Sequence, residues 1–222
     1  MTNYVLNRNN MILGQFLPGL IKDKKLLEVF EEVPREKFLP SQFKAVAYSD
    51  LNIKINTNRY IPSPFNSAKI FQEASFRGKE VVLLIGATFG YEALILSKIV
   101  DTLVAIEEDV NLVKSAEAAY KSLNVENIVL FNKTHESGYN KLGPYDTIIN
   151  LDTRFKIEKE LLNQLTEGGK LFYCENHNFN LKESKLNVFY KFNNNYVKQK
   201  LFDINIPTVI EDKVNKSEFI LI

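Results

Sequence analysis

The sequence predicts an α/β fold in which a mostly parallel sheet carries helices on both faces. Three observations point there. From Lys79 onward, apolar runs of strand length alternate with helical patterns, as right-handed βαβ crossovers require. The stretch "VVLLIGATFGYEA", Val81 to Ala93, reads as a strand delivering a glycine turn into a helix. The 222 residues suffice for one such domain with a buried core, rather than for two full domains.

The first third is expected to be helical. Asp23 is placed to cap "DKKLLEVFEEV", whose Leu26, Leu27, Val29, Phe30 and Val33 form an apolar stripe that stops at Pro34. "PREKFLP" follows, bracketed by two prolines, and an extended stretch runs from Tyr48 to Pro64. Asn66 is the expected cap of the next helix, "SAKIFQEASF". Strands are then expected at 80–85, 102–106, 127–131, 145–150 and 169–174, with helices near 90–100, 109–123 and 157–166. Gly168 and Gly169 mark where the last of these helices ends and a strand begins. After Lys185 the "NNN" at Asn193 to Asn195 predicts an antiparallel hairpin closing one sheet edge.

Composition excludes several classes. No apolar stretch approaches the roughly 18 residues that span a bilayer, and the polar, Asn-rich start lacks the apolar core of a secretory signal, so cytoplasmic residence is the expectation. The net charge of +1 is evenly spread and only five of the 28 basic residues are Arg, which leaves no footprint for nucleic acid. The lone Cys174 permits neither an internal disulfide nor a cysteine metal cluster and is read as a small buried strand residue. Neither membrane nor metal is an expected partner.

The chemistry is expected beyond the carboxyl ends of the strands, where strand order reverses. There "GATFG" offers backbone N–H groups and a helix start to a polar or anionic ligand part. Twenty-one residues after Gly86 stands Glu107, whose two oxygens can accept both hydroxyls of a ribose, while Glu108 and Asp109 suit the start of the next helix better. A dinucleotide loop needs G-x-G-x-x-G, yet only Gly86 and Gly90 are present, which favours S-adenosyl-L-methionine, a donor without phosphate.

These residues also carry a family resemblance. "MILGQFLPGLIKDKKLLEVFEEVPREKFLP", "AYSDLNIKI", "LLIGATFGYEALILSKIVDTLVAIEED", "GPYDTIINLDT" and "LLNQLTEGGKL" resemble, in order and spacing, the protein-L-isoaspartate O-methyltransferase family over Met11 to Leu171. "NRYIPSP" and "FDINIP" further resemble an alphaproteobacterial branch. The resemblance implies a Rossmann-like S-adenosylmethionine-dependent methyltransferase fold. It divides the chain into an N-terminal helical module with a substrate-side loop, 1–78, and a core, 79–222, within one compact domain. It also implies methylation of the free α-carboxylate of L-isoaspartyl residues in damaged proteins, the first step of a repair. It carries cofactor binding onto Gly86, Ala87, Thr88, Gly90, Tyr91, Glu107, Lys133, Thr134 and Asn150. The acceptor is an ionised carboxylate, so no strong general base is needed.

Several positions depart from the family pattern. Where its members have Thr-Ile-Ser, this chain has Tyr60, Ile61 and Pro62, which makes Tyr60 and Ser63 the candidate catalytic donors; a rigid connector is the alternative reading of "YIPSP". Leu84 replaces an acid, Thr88 a glycine, Phe89 a small residue, and Lys133 the acid that meets the adenine. If the loop keeps its usual path, Thr88 takes φ > 0 at roughly 1–3 kcal/mol. His135 stands near the adenine position, though a lone loop histidine is expected to be solvated. A catalytically degenerate binding module and a methyltransferase with another acceptor are the alternatives these departures raise.

Overall fold

The computed structural model describes residues 3–56, 59–125, 127–175 and 184–207. The chain starts with α1, Tyr4–Met11, which runs into a π-helical turn, Ile12–Phe16, and then α2, Lys24–Glu32. Asp23 caps α2 as expected, its carboxylate accepting from the Leu26 N–H. Leu26, Val29 and Phe30 are buried on its inner stripe, and Phe30 meets Phe16 edge to face at 5.0 Å. The extended stretch contains a small antiparallel hairpin, β1, Ile53–Lys54, and β2, Tyr60–Ile61.

The next helix, α3, spans Pro64–Ala74, and its cap is Ser63 rather than Asn66. Pro64 occupies the first turn, where a missing N–H costs nothing, so the helix starts three residues earlier than an Asn66 cap implies. Asn66 lies inside the first turn instead, and its side chain donates to Asn52 Oδ1 and to the Asn205 carbonyl.

The alternating pattern then folds in order: β3, Val81–Ile85; α4, Tyr91–Ser97; β4, Thr102–Glu107; α5, Val110–Ser122; β5, Val129–Asn132; β6, Tyr145–Asn150; α6, Lys159–Leu162; β7, Leu165–Glu175. The hairpin β8, Ser184–Phe192, and β9, Asn195–Ile204, completes it. Its turn puts Asn193 and Asn194 at φ 50° and 59°, which asparagine tolerates better than other side chains. The sheet order is β5-β4-β3-β6-β7-β8-β9, parallel from β5 to β7 and antiparallel beyond.

One segment departs from expectation. The helix expected at 157–166 is only the single turn α6, because β7 begins at Leu165 and both glycines lie within that strand. Leu161, Leu162 and Leu165 are all buried, so the apolar run is satisfied by a turn that drops into a strand. Gly168, at φ 79°, sits where the pairing of β6 with β7 slips, Tyr145 facing Leu165 but Thr147 facing Lys170.

The inner parallel strands β3, β4 and β6 are buried on both faces, Val82 through Ile85 having no exposed surface, while the edge strand β5 is partly exposed. One core cluster joins α1–α3 to the sheet and α4, so the N-terminal helices share it. Cys174 is buried in β7, its thiol pushed up to about 12 by desolvation. Among the described residues no helix is long and apolar enough to cross a membrane.

Candidate functional site

Strand order reverses between β3 and β6, and the loops leaving their carboxyl ends face each other there. The glycine loop follows β3. Gly86 has φ 81° and lies so close to the β6 loop that a Cβ would stand 3.3 Å from the Asp152 N–H nitrogen. Gly90 has φ 91° and is pressed against Tyr120, whose hydroxyl donates to its carbonyl. Between them Thr88 takes φ 49°, so the loop keeps its glycine-like path with a β-branched residue on it. Phe89 is half-buried and packs against the core cluster that includes α4.

Glu107 ends β4 and is wholly buried. Arg59, just before β2, reaches it with both terminal nitrogens, at 2.5 Å to Oε1 and 2.8 Å to Oε2. The Asp109 N–H also donates to Oε1 at 3.0 Å and the Thr88 N–H to Oε2 at 2.9 Å. Burial alone raises the Glu107 carboxyl, but the Arg59 hydrogen bonds and charge outweigh it and hold the group below its ordinary value. All four favourable acceptor directions of the carboxylate are in use.

A second group of charges adjoins the first. His135 is buried, against the expectation of a solvated loop histidine, because Asp152 lies under it. Its Nε2 accepts from the Glu108 N–H at 3.1 Å, so Nδ1 carries the proton that it donates to Asp152 Oδ2 at 2.5 Å. Arg154 binds both Asp152 oxygens through Nε and also pairs with Glu108. Burial raises the Asp152 carboxyl, but bonds from His135 and Arg154 bring it far below the ordinary carboxylate value. Glu108, His135 and Asp152 bring ligand-type atoms within 4.8 Å of one another, yet those of His135 and Asp152 are already bound to protein donors and acceptors.

The candidate residues divide accordingly. Gly86, Thr88 and Glu107 converge on the crevice beside Arg59, whereas Ala87 is buried in the core cluster and Gly90 is pressed against Tyr120. Asn150 ends β6 beside it, its side-chain oxygen accepting from the Asp152 N–H at 3.0 Å. Tyr91 does not converge, since its ring is buried under the N-terminal helices between Phe30, Phe38 and Arg35. Lys133 and Thr134 are exposed beyond β5, Thr134 bonding Ser137. Ser63 is fully buried; its hydroxyl caps α3 and donates to Asp50 at 2.6 Å, which leaves no free donor for a substrate. Tyr60 is half-buried with Lys54 near its ring.

Sequence reasoning missed Arg59, Asp152 and Arg154. The one available signal was scarcity, because in a Lys-rich chain each of the five Arg stands out as the side chain suited to bidentate pairing. Arg59 lies across the Gly86 turn, a guanidinium nitrogen 3.7 Å from where a Gly86 Cβ would stand. Beside it is a cavity of about 10 Å³, room for about one water, lined by Arg59, Tyr60, Leu151, Asp152, Thr153, Ile206 and Pro207. A cavity of about 390 Å³ lies instead at the opposite, amino ends of the strands, lined in part by Asp23, Lys25, Arg77 and Lys98.

The sheet order, the glycine loop after β3 and the acid ending β4 define the Rossmann-like methyltransferase class. Solved structures share the whole architecture. A protein-L-isoaspartate O-methyltransferase superposes with a TM-score of 0.77 at 23% identity, over 91% of this chain and 65% of that one. A Plasmodium falciparum structure described as a protein-L-isoaspartate O-methyltransferase homologue in complex with S-adenosyl-L-homocysteine gives 0.75 at 18% identity, over 94% and 98% of the two chains. Within that class, the model of the protein-L-isoaspartate(D-aspartate) O-methyltransferase family matches residues 7–208, and the chain belongs to this family. Curated relatives agree. "Protein-L-isoaspartate O-methyltransferase 1" of Syntrophobacter fumaroxidans is 31% identical over 77% of this chain and 80% of its own. "Protein-L-isoaspartate O-methyltransferase" of Pectobacterium carotovorum is 32% identical over 74% and 79%.

Proposed function

We propose that the protein transfers the methyl group of S-adenosyl-L-methionine to the free α-carboxylate of L-isoaspartyl residues in damaged proteins. The observation that carries this reading is membership of the protein-L-isoaspartate(D-aspartate) O-methyltransferase family over residues 7–208. Membership over so much of the chain favours neither a degenerate binding module nor a different acceptor.

The residues present suit the donor once Arg59 is displaced from Glu107. Glu107 ends β4 with paired carboxylate oxygens suited to a vicinal diol, and the Gly86–Gly90 backbone leaves the turn beside it free of side-chain bulk at Gly86. S-adenosyl-L-methionine, when bound, supplies an electrophilic methyl on a sulfonium. Glu107 would hold its ribose, and the N–H groups of the glycine loop and the start of α4 would face its polar groups. Tyr60 is the candidate hydroxyl for the acceptor, since Ser63 is committed to Asp50 and to the α3 cap. The acceptor carboxylate is already ionised at neutral pH, so the protein's work is alignment and exclusion of water rather than proton removal.

The test is transfer of labelled methyl to a peptide containing one isoaspartyl residue and to its normal aspartyl twin. Incorporation into the isoaspartyl peptide alone is expected. Equal labelling of both, or of neither, overturns the proposal.

A further inference from the structure

We infer that Arg59 sets the protein's affinity for its methyl donor by competing for the same carboxylate. Its guanidinium takes the two Glu107 oxygens that a ribose diol needs, so the closed arrangement and the loaded one exclude each other. The inference rests on the reading that Glu107 receives an adenosyl cofactor.

Three observations carry it. The first is geometric: Arg59 is bidentate at 2.5 and 2.8 Å, and the Thr88 and Asp109 N–H groups fill the remaining directions, leaving no acceptor position for a hydroxyl. The second is spatial, since the guanidinium lies 3.7 Å from where a Gly86 Cβ would stand, and the cavity on its side toward Leu151 and Asp152 holds about 10 Å³. An adenosyl group is many times larger. The third is that the plug is one side chain on a slight support. Arg59 lies within a hairpin of two-residue strands, just before the second of them, with the Ile55 N–H donating to its carbonyl, while Gly86, Thr88 and Glu107 belong to the sheet and its first loop. Rotation of the side chain opens the site without unmaking the sheet.

The surrounding charges set the balance. Asp152 attracts the guanidinium and Arg154 repels it, so Glu107, which bonds it directly, is its main anchor. When a ribose takes Glu107, the two backbone donors stay in place and only the guanidinium must leave. Apparent affinity then scales with the fraction of molecules in which Arg59 has already left.

The experiment is calorimetric titration of the full chain with S-adenosyl-L-homocysteine, comparing wild type with Arg59→Ala and Arg59→Gln. Both variants are expected to bind at least tenfold more tightly, which sets the open fraction of the wild type at about one in ten or below. Methylguanidinium in solution should weaken binding to Arg59→Ala more than to wild type, an effect that a merely structural role for Arg59 does not produce. Should Arg59→Ala fail to fold, Arg59→Gln, which keeps two of the three stem methylenes and a neutral donor, carries the comparison. Wild type and a folded variant binding equally well overturns the competition and leaves the methyltransferase reading standing. Absence of binding by every form at millimolar ligand, together with no methyl transfer to the isoaspartyl peptide, overturns the methyltransferase reading and the competition with it.

Discussion

Two buried arginine–glutamate pairs hold this fold, and they are built differently. Arg35 lies beneath the helix that follows the glycine loop. It is wholly buried, bonds Glu92 at 3.1 Å and the Pro62 carbonyl at 2.8 Å, and stacks 4.7 Å over the Tyr91 ring. Core surrounds it on every side. Arg59 lies over the strand ends, bound to a Glu107 that also has two backbone donors. Removing Arg35 strands Glu92 with one hydroxyl neighbour, Ser67 at 3.3 Å, whereas removing Arg59 leaves Glu107 partly satisfied. The first pair is a rivet between the N-terminal helices, the β2 loop and α4. The second is arranged so that it can be exchanged.

The largest expected effect follows directly. Arg35→Ala should cost about 3–5 kcal/mol, as breaking a buried pair does, and Arg59→Ala about 1–3 kcal/mol, both read from chemical denaturation. Equal losses would erase the distinction. Acid provides a finer probe. Glu107 and Asp152 both have depressed carboxyls, so the stability they contribute is complete above their unfolded values near 4 and is lost as pH falls through the lower folded values. Glu107→Gln should flatten that fall by up to about 1.4 kcal/mol per pH unit below about pH 4. The smallest effect belongs to the loop. Thr88→Gly relieves φ 49° while keeping the N–H that Glu107 accepts, and should stabilise the fold by about 1 kcal/mol in thermal melts.

How much of this could be read from the sequence follows from the range of the interactions. The alternation of strands and helices, the Asp23 cap and the asparagine turn are local, and the structure has them. Ser63 displaced Asn66 as a cap because the following proline is the stronger local signal. The short α6 was hidden because a buried apolar run looks alike as helix or strand until the register with β6 fixes it. At the site, Glu107 was legible from its spacing to the glycine loop. Its partner stands 48 residues earlier in the chain, and no periodicity links them. His135 was misread for the same reason, since the carboxylate that holds it lies 17 residues on.

The solitary thiol in β7 has a use beyond packing. Cys174 is enclosed by the sheet and, with its acid dissociation pushed up to about 12, stays protonated and unreactive while the strands remain paired. Its rate of alkylation therefore serves as a built-in clock for the opening of the central strands, read without attaching any probe.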